Sequence, residues 1–195
     1  MKKIKLALIG AGGHAISCID VIEKTNKYKI VGLVDDKSEN SLSIGNKIYK
    51  VTNEKDFLRK PETKNILIAI GSHRLLKKRE LLFKKYAKLG FKFPIVISPL
   101  AYVSKFSIIN EGTIVMHGAI INANTKIGSN CILNSKSLIE HDCNVGNNNH
   151  IATSAIVNGH TKIHDNCFIG SNSTLLPSLT IKKGSLIKAN QLIKK

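Results

Sequence analysis

An aliphatic side chain stands at every sixth position through the second half of the chain. The sixteen residues are Val103, Ile109, Val115, Ile121, Ile127, Leu133, Ile139, Val145, Ile151, Val157, Ile163, Ile169, Leu175, Ile181, Ile187 and Ile193. Two residues before each of them the side chain is small in thirteen cases of sixteen. An α-helix cannot keep this series on one face, because six residues is neither one turn nor two. The period predicts a parallel β-helix, in which three six-residue flats form one triangular coil.

The sixteen flats correspond to about five coils, since each coil takes three flats. An ordinary sandwich of short strands would show spacings of roughly 8–12 residues that vary along the chain. The constant period favours the β-helix over the sandwich.

The first half of the chain has a different pattern, in which apolar runs alternate with helix-like stretches. We expect strands at residues 1–10, 29–35 and 65–71, and helices at residues 14–26 and 74–89. Such alternation predicts a parallel sheet. The fold class expected is therefore a small Rossmann-like parallel α/β domain over residues 1–96, followed by a β-helix of hexapeptide repeats over residues 97–195.

The net charge of +17 is concentrated in the first half, with 21 basic and 9 acidic residues through position 100 and 9 basic and 4 acidic beyond it. Aromatic residues are scarce and there is no Trp, which argues against a nucleic-acid partner. The positive field suits a small anionic ligand such as a nucleotide diphosphate.

The chain lacks an apolar run of the 18 or so residues that a membrane span requires. Glycines and His14 interrupt the first apolar run, so we do not interpret it as a secretory leader. The cysteines are predicted to be reduced core residues, because three of the four occupy the small position of the repeat. They are Cys18, Cys131, Cys143 and Cys167. These features together predict a cytoplasmic protein.

A glycine-rich turn, Gly10-Ala11-Gly12-Gly13-His14-Ala15, joins the first expected strand to the first expected helix. It matches the phosphate-binding pattern G-x-G-x-x-G/A, and Asp35 and Asp36 close the second strand about twenty residues later. Phosphate binds well at such a turn because backbone N–H groups and the helix dipole favour an anion. We expect a nucleotide here, although the domain is too short for both halves of a dinucleotide fold. A tight turn followed by ordinary strand-end acids is the alternative.

His141 stands between Glu140 and Asp142 at an expected corner of the β-helix. A neighbouring carboxylate can orient an imidazole and stabilise its charged form, as a general base near neutral pH requires. An inert surface histidine is the simpler interpretation. Because a coil repeats in about eighteen residues, His160 is expected nearly above His141, with His150 half a coil away. A three-histidine zinc site of the gamma carbonic anhydrase type is thus a further alternative.

Five stretches of the chain together resemble the nucleotide-sugar acetyltransferases with a left-handed β-helix. They are GAGGHA at 10–15, DD at 35–36, AIGSHRLLKK at 69–78, SLIEHDCNVGNNNHIA at 137–152 and CFIGSNSTLLPSLTI at 167–181. The similarity is greatest to the bacterial UDP-4-amino-sugar N-acetyltransferases of bacillosamine synthesis, and sialic acid O-acetyltransferase-like proteins share these signatures. The resemblance implies a homotrimer, a nucleotide sugar on the small domain, and acetyl-CoA in the groove between neighbouring β-helices.

The resemblance also implies roles for individual residues. It implies that His141 is the catalytic base, and that Asp142 supports it from a position where the bacillosamine-pathway enzyme has Glu. The residues implied on the acetyl-CoA side are His150, Gly159 and Gly170, and we expect Lys188 there as well, although the relatives do not carry it. Those implied at the nucleotide sugar are Gly10, Gly12, Gly13, His14, Asp35, Asp36, Gly71 and Ser72.

Two departures from the relatives concern these ligands. Lys188-Ala189-Asn190 replaces a glycine-rich turn that lies against CoA in the relatives, and Lys188 could meet a CoA phosphate instead. Ser72 follows Gly71 where relatives often carry Asn or Asp. Neither departure affects the proposed base.

The resulting hypothesis is an acetyl-CoA-dependent N-acetyltransferase that acts on the 4-amino group of a UDP-linked 4-amino-4,6-dideoxy sugar and needs no metal. GDP or dTDP in place of UDP stays open. The alternatives are an O-acetyltransferase of sialic acid or a related sugar, a trimeric zinc hydratase, and a non-catalytic β-helix that assembles partner enzymes.

Overall fold

The computed structural model describes residues 2–36, 40–71 and 76–194. Its first part contains five strands and three helices in these ranges. They are β1 (Ile4–Ile9), α1 (Gly13–Thr25), β2 (Tyr28–Val34), β3 (Ser41–Ile44), β4 (Lys47–Thr52), α2 (Glu54–Arg59), β5 (Ile66–Ile68) and α3 (Leu76–Lys88).

The strands of this part form one sheet in the order β3-β4-β2-β1-β5. The pairs β1–β2, β1–β5 and β2–β4 are parallel, as predicted. The hairpin β3–β4 is antiparallel, so the prediction of a wholly parallel sheet is wrong at this edge. The sequence did not predict the hairpin or α2, because these segments are short, polar and largely exposed and have no continuous apolar run.

The second part is a β-helix of seventeen two-residue strands between residues 96 and 194. They are β6 (Val96–Ile97), β7 (Tyr102–Val103), β8 (Ile108–Ile109), β9 (Ile114–Val115), β10 (Ile120–Ile121), β11 (Lys126–Ile127), β12 (Ile132–Leu133), β13 (Leu138–Ile139), β14 (Asn144–Val145), β15 (His150–Ile151), β16 (Ile156–Val157), β17 (Lys162–Ile163), β18 (Phe168–Ile169), β19 (Thr174–Leu175), β20 (Thr180–Ile181), β21 (Leu186–Ile187) and β22 (Leu192–Ile193).

These strands form three parallel sheets, which are the three faces of a triangular prism. The first face is β6-β9-β12-β15-β18-β21, the second is β7-β10-β13-β16-β19-β22, and the third is β8-β11-β14-β17-β20. Each residue pairs with the one eighteen positions later, as Ile132 does with His150. The predicted aliphatic column fills the interior, and its central members from Val115 to Leu175 are buried. The predicted β-helix is confirmed.

One corner residue in each of fourteen consecutive flats has a left-handed backbone. The fourteen positions recur every six residues from Gly112 to Asn190, with φ between 55° and 74°. Six of them carry Asn and three carry Gly, the residue types that adopt this conformation at least cost. Because the coil has eighteen residues, every third such position stacks in one column.

The α/β part covers the first face of the prism. Ala15, Cys18 and Ile19 of α1 share one buried core with Ile114 and Ile132 of the first face. The two parts therefore fold around a common apolar layer. All four cysteines are buried and free, as predicted.

Polar contacts reinforce this junction at both edges of the first face. Arg79 of α3 is fully buried and donates to the carbonyls of Ile68 (2.7 Å) and Ile70 (2.6 Å) and to the carbonyl and side-chain oxygens of Asn130 (3.0 and 2.9 Å). At the other edge, His117 lies 3.1 Å from an Asp20 oxygen and 2.6 Å from the Ser98 hydroxyl. These bonds fix the α/β part against the β-helix.

Within the described ranges, no helix is both long enough and apolar enough to cross a lipid bilayer.

Candidate active site

The glycine turn, residues 10–14, lies at the carboxyl end of β1 and opens α1. Gly10 has φ of +112°, and a Cβ there would stand 2.7 Å from Ile70 Cγ1, so the turn requires glycine. Gly12 is the N-cap of α1, without a side-chain cap bond, and the first turn has no acidic residue. The space beside Gly12 and Gly13 is open to 4 Å. The helix N-terminus is therefore available to an anion such as a phosphate.

Asp35 and Asp36 both lie just after β2 and hold neighbouring loops. An Asp35 oxygen accepts from the N–H of Ala11 at 3.0 Å, and an Asp36 oxygen accepts from the N–H of Glu54 at 2.8 Å. One oxygen of each carboxylate is thus used to shape the loops. A cleft opens beside them at the carboxyl edge of the sheet, the usual place for a ligand in an open α/β fold. It is lined by Ile9, Gly10, Val34, Asp35, Asp36, Glu54, Ile70, Lys78, Leu82 and Tyr86.

His14 connects the glycine turn to the β-helix. Its ring lies over Gly71, where a Cβ would stand 2.5 Å from His14 Cγ. Burial, with a smaller contribution from the Arg79 charge, lowers the pKa of His14 to about 4. The ring centroid of His14 lies 6.3 Å from that of His150. Ser72, also predicted at this site, lies outside the described residues.

His150 faces outward from β15 but is 6% exposed, because the α/β part covers this face. Its ring meets the ring of Phe168 edge-on at 5.0 Å, and its Nε2 lies 3.4 Å from Asn134 Nδ2. The glycine turn, His14 and His150 therefore lie together on the first face, and we name this group the nucleotide side.

His141 lies elsewhere, at the corner between β13 of the second face and β14 of the third. Its Nδ1 is 2.8 Å from Asp142 Oδ2, and the other Asp142 oxygen accepts from Asn124 Nδ2 at 3.2 Å. The His141 bond, followed by the Asn124 bond, holds the pKa of the Asp142 carboxyl below its ordinary value. Because a carboxylate accepts at Nδ1, we assign the proton of the neutral ring to Nδ1, which leaves Nε2 as the basic nitrogen.

Of the two acids that flank His141, Asp142 holds the ring. The Glu140 carboxylate instead accepts from Asn122 Nδ2 at 2.9 Å. Gly159, one coil further on, lies directly beneath the imidazole: a Cβ there would stand 2.9 Å from His141 Cε1 and 3.0 Å from Nε2. The glycine thus makes room for the ring and exposes its backbone beside the basic nitrogen.

His160 completes the group that we name the His141 corner, which consists of His141, Asp142, Gly159 and His160. The His160 ring meets the His141 ring edge-on at 5.2 Å, and its Nε2 lies 4.0 Å from Asp142 Oδ2. The stacking predicted from the eighteen-residue coil is present. His141, Asp142 and His160 offer ligand atoms within 4.8 Å of one another, a set that could hold a transition metal. Such binding would replace the His141–Asp142 hydrogen bond. His150, the third histidine of the zinc alternative, is on the opposite side of the coil.

Gly170 and Lys188, the two remaining residues predicted on the acetyl-CoA side, lie in the last coils. The side of Gly170 on which a Cβ would stand is filled by the backbone of Lys188 and Ala189, at 2.5 Å. Lys188 is exposed, and its N–H donates to the Gln191 side chain at 3.0 Å. The structure thus buries Gly170 between coils and leaves Lys188 accessible to a ligand.

An open groove runs beside the His141 corner. It is lined by Tyr102, Val103, Ser104, Lys105, Phe106, Asn122, Ala123, Glu140 and His141. In a triangular prism, the corner between the second and third faces is opposite the first face. One chain therefore carries the nucleotide side and the His141 corner on opposite sides of its β-helix.

Two protein families match parts of the chain. The family described as the PglD N-terminal domain matches residues 5–85, and the bacterial transferase hexapeptide family, described by six repeats, matches residues 142–177. No curated protein matches the chain.

Solved structures match nearly the whole chain. The acetyltransferase domain of PglB from Neisseria gonorrhoeae is 29% identical with a TM-score of 0.88, covering 97% of this chain and 91% of that one. The resemblance to the nucleotide-sugar acetyltransferases is confirmed. A variant of GDP-perosamine N-acetyltransferase from Caulobacter crescentus, in complex with CoA and GDP-perosamine, is 26% identical with a TM-score of 0.88, covering 98% and 89%. WeeI from Acinetobacter baumannii, at 23% identity, a TM-score of 0.85 and coverage of 99% and 92%, has the same left-handed β-helix fold.

Several contacts in this fold were not predicted from the sequence. Asn124 and Asn122 orient the two acids beside His141, and Asn134 contacts His150. Asn122 and Asn124 lie eighteen residues before their partners, so the coil period could have identified them. Arg79 gave no such signal, because its partners come from separate elements brought together by packing.

Proposed function

We propose that the chain is an acetyl-CoA-dependent N-acetyltransferase of a nucleotide-linked amino sugar, with His141 as the general base. The observation that carries this proposal is the exposed imidazole of His141, fixed through Nδ1 by Asp142 and set on Gly159 beside an open groove. Support comes from the PglB domain, which is also known in complex with acetyl coenzyme A, and from the Caulobacter enzyme, which is known with CoA and GDP-perosamine.

The chemistry follows from the exposed nitrogen of His141. The sugar amine attacks the thioester carbonyl, and as the C–N bond forms, Nε2 takes a proton from the nitrogen. Asp142 stabilises the resulting imidazolium through Nδ1. Collapse of the tetrahedral intermediate breaks the C–S bond, and the leaving CoA thiolate takes the proton that His141 Nε2 received, which returns the imidazole to its neutral form. The oxyanion is stabilised by a backbone N–H near Gly159 or by His150. Direct transfer requires no acyl-enzyme.

The acetyl acceptor is a nucleoside-diphosphate sugar held at the nucleotide side. The open N-terminus of α1 receives the diphosphate, and the cleft beside Asp35 and Asp36 receives the nucleoside. We propose a 4-amino-4,6-dideoxy sugar, with UDP as the first nucleotide to test. The GDP sugar in the Caulobacter complex makes GDP the second.

The complete site requires two copies of the chain. The amine of a sugar bound at the nucleotide side cannot reach the His141 corner of the same prism, since the two lie on opposite sides. A second copy can bring its His141 corner to the first copy's nucleotide side, and a closed ring of three repeats this contact. Outward residues of the second face, Tyr102, Ile120, Leu138 and Ile156, offer an apolar surface for such packing. We therefore propose a homotrimer with its active sites between subunits.

The test is release of CoA thiol with a UDP- or GDP-linked 4-amino-4,6-dideoxy sugar as acceptor. His141→Ala is expected to lower the rate at least a hundredfold, given the 10²–10⁴ contribution of a general base. His164→Asn, which changes an exposed histidine at another corner, is the control and keeps the wild-type rate. Full activity of His141→Ala would disprove the assignment of the base. Absence of thiol release with every amino-sugar nucleotide would disprove the function.

A further inference from the structure

We infer that one end of the molecule is a docking surface for a lipid bilayer that carries anionic headgroups. We name this surface the basic end. It consists of the amino edge of the α/β sheet, with the helix ends beside it, and the first coil of the β-helix, residues 96–113. The inference concerns a surface that takes no part in acetyl transfer.

The path of α1 shows that these two parts lie at the same end of the molecule. Near the start of α1, the ring of His14 lies 6.3 Å from that of His150, on the fourth strand of the first face. Just after α1, the Tyr28 hydroxyl donates to the carbonyl of Ile95, the residue before β6, at 3.0 Å. The helix therefore runs along the prism from the fourth coil to the first. Because α1 connects the parallel strands β1 and β2, it runs back to their amino ends, which thus lie beside the first coil.

Lysines from every segment that reaches this end are gathered on it. Backbone bonds hold these segments side by side: the N–H of Ile4 donates to the Lys27 carbonyl at 3.0 Å, and the N–H of Lys92 donates to the Lys64 carbonyl at 2.8 Å. Eight exposed lysines result. They are Lys2, Lys3, Lys24, Lys27, Lys64, Lys88, Lys92 and Lys105.

Acidic residues do not balance these lysines. Glu62 and Glu111 lie in the same segments, and Glu23 is already paired with Lys47 at 2.7 Å. Four acids of the α/β part follow β2 or β4 at the opposite, carboxyl edge of the sheet. They are Asp35, Asp36, Glu54 and Asp56. Compensation of helix dipoles explains only the lysines in the last turns of α1 and α3, since the other six lie outside the helices.

Apolar side chains are exposed beside the lysines. Leu100 and Phe106, in the first coil, are 60% and 64% exposed, and Ile4 and Leu89, at the sheet edge, are 41% and 45% exposed. The Lys105 ammonium lies 5.0 Å from the centre of the Phe106 ring. Lysines attract anionic headgroups, and Phe and Leu side chains enter the boundary between headgroups and acyl chains. The basic end offers both kinds of contact to one surface.

The charge of the basic end disfavours two other occupants. A second copy that docked through the same end would bring eight lysines of each chain together, and like charges repel. Recognition of nucleic acid favours Arg, whose planar group binds phosphates and bases in pairs, whereas all eight of these cations are Lys. Attraction to an anionic bilayer depends on the number of cations and not on such paired geometry.

Docking through this end leaves the candidate site accessible. The glycine turn and the cleft beside Asp35 and Asp36 lie at the carboxyl edge, so they face away from the bilayer. In the proposed trimer, a threefold axis turns the basic ends of all three copies in the same direction. One bilayer would then meet three copies of the surface at once, which raises the overall affinity.

The test is sedimentation of the full chain with vesicles of phosphatidylcholine, with and without about 30 mol% phosphatidylglycerol. The protein is expected to sediment with the phosphatidylglycerol vesicles at low salt and to stay in solution with phosphatidylcholine alone. Raising the salt from about 0.05 M to about 0.5 M should lower the partition coefficient at least tenfold, because salt screens exposed charges. Absence of sedimentation with the phosphatidylglycerol vesicles would overturn the inference. Binding of a DNA duplex without binding of vesicles would assign the basic end to nucleic acid instead.

Matched lysine variants locate the surface. Combined replacement of Lys3, Lys27 and Lys92 by Gln should lower the partition coefficient at least tenfold, because each Lys near an anionic surface contributes about fivefold. The control removes the same charge from exposed positions in the later coils: Lys162→Gln, Lys182→Gln and Lys194→Gln together. It should change the partition coefficient less than threefold. Equal losses in the two triple variants would overturn the inference, since they would indicate attraction of the whole chain rather than of one end.

A pair of leucine variants tests the apolar contact. Leu89→Ser should lower the partition coefficient about threefold, because Leu89 is at the basic end. Leu81→Ser is the control, since Leu81 is 58% exposed on the same helix but about 12 Å further along it. Equal partition coefficients of the two variants would contradict insertion of this end into the bilayer. These measurements need neither acetyl-CoA nor sugar, so their failure and that of the proposed function are separate outcomes.

Discussion

The nucleotide side and the His141 corner are built by opposite means. On the nucleotide side, His14 and His150 are enclosed between α1, the turn at Gly71 and the first face. At the corner, the side chains of His141 and Asp142 are 53% and 37% exposed, and their partners come from the coils directly above and below. The corner is made by the repeat itself, whereas the nucleotide side exists only because two different folds pack together.

This contrast indicates what the coil and the α/β part each contribute to the candidate site. A rigid coil can fix an acid–base pair without burial, because its backbone holds each residue in register with the next. Exclusion of water, however, requires a cover, and among the described residues of one chain the α/β part covers the first face. In the proposed trimer, a neighbouring copy covers the exposed corner, and that copy's buried nucleotide side lies against it.

The largest effect is expected from mixing two inactive variants. His141→Ala removes the proposed base. Gly12→Asp places a negative charge at the proposed diphosphate site, in open space at a position where Asp is a favoured N-cap. Each homotrimer should lose at least a hundredfold in rate. If equal amounts of the two chains assemble at random, about a quarter of the sites join an intact corner to an intact nucleotide side, and activity returns to about a quarter of the wild-type rate.

Thiol release by the coexpressed, mixed trimers is the measurement. Mixing the separately purified homotrimers without exchange of subunits serves as the control and should give no recovery. If the coexpressed mixture is as inactive as its parents, each site lies within one chain and the contrast between the two sides does not mark a subunit interface.

A smaller effect is expected from Gly159→Ala. The added Cβ would stand 2.9 Å from His141 Cε1, so the ring has to move away from residue 159 while keeping its bond to Asp142. Misplacement of a reacting group by about 1 Å costs roughly 10²-fold in rate, so we expect a loss of kcat between about tenfold and a hundredfold.

Gly32→Ala is the matched control for this change, because its nearest contact would be an ordinary 3.5 Å from the Lys50 carbonyl in a strand remote from the corner. Steady-state kinetics and thermal midpoints of both variants are the measurements. A wild-type kcat in Gly159→Ala would show that contact with residue 159 does not fix the position of the His141 ring.

The same contrast explains what the sequence could predict. Periodicity specified the β-helix, its aliphatic column and the stacking of His160 on His141, because those features repeat every six or eighteen residues. It did not predict the β3–β4 hairpin, nor the buried Arg79, whose four oxygen partners belong to β5, the segment after it and a distant coil. Nor could it show that Asp35 would bond to Ala11, since that contact depends on the final path of two loops. Features made by tertiary packing leave no periodic trace.

The smallest expected effect distinguishes the two sides by the pH dependence of stability. The folded protein holds the pKa of His14 at about 4, below the 6.5 of the unfolded chain. Above pH 6.5 the ring is neutral in both states, so its contribution to stability is fully present. As the pH falls from 6.5 towards 4, His14 binds a proton in the unfolded chain but not in the folded protein, and the free energy of unfolding therefore decreases. At pH 5 the free energy of unfolding is lower by roughly 2 kcal/mol.

The measurement is urea unfolding of the wild type, His14→Asn and His164→Asn at pH 7.5 and pH 5, at one protein concentration. The decrease should be smaller in His14→Asn and unchanged in His164→Asn, and equal decreases in all three proteins would contradict the enclosure of His14 on the nucleotide side.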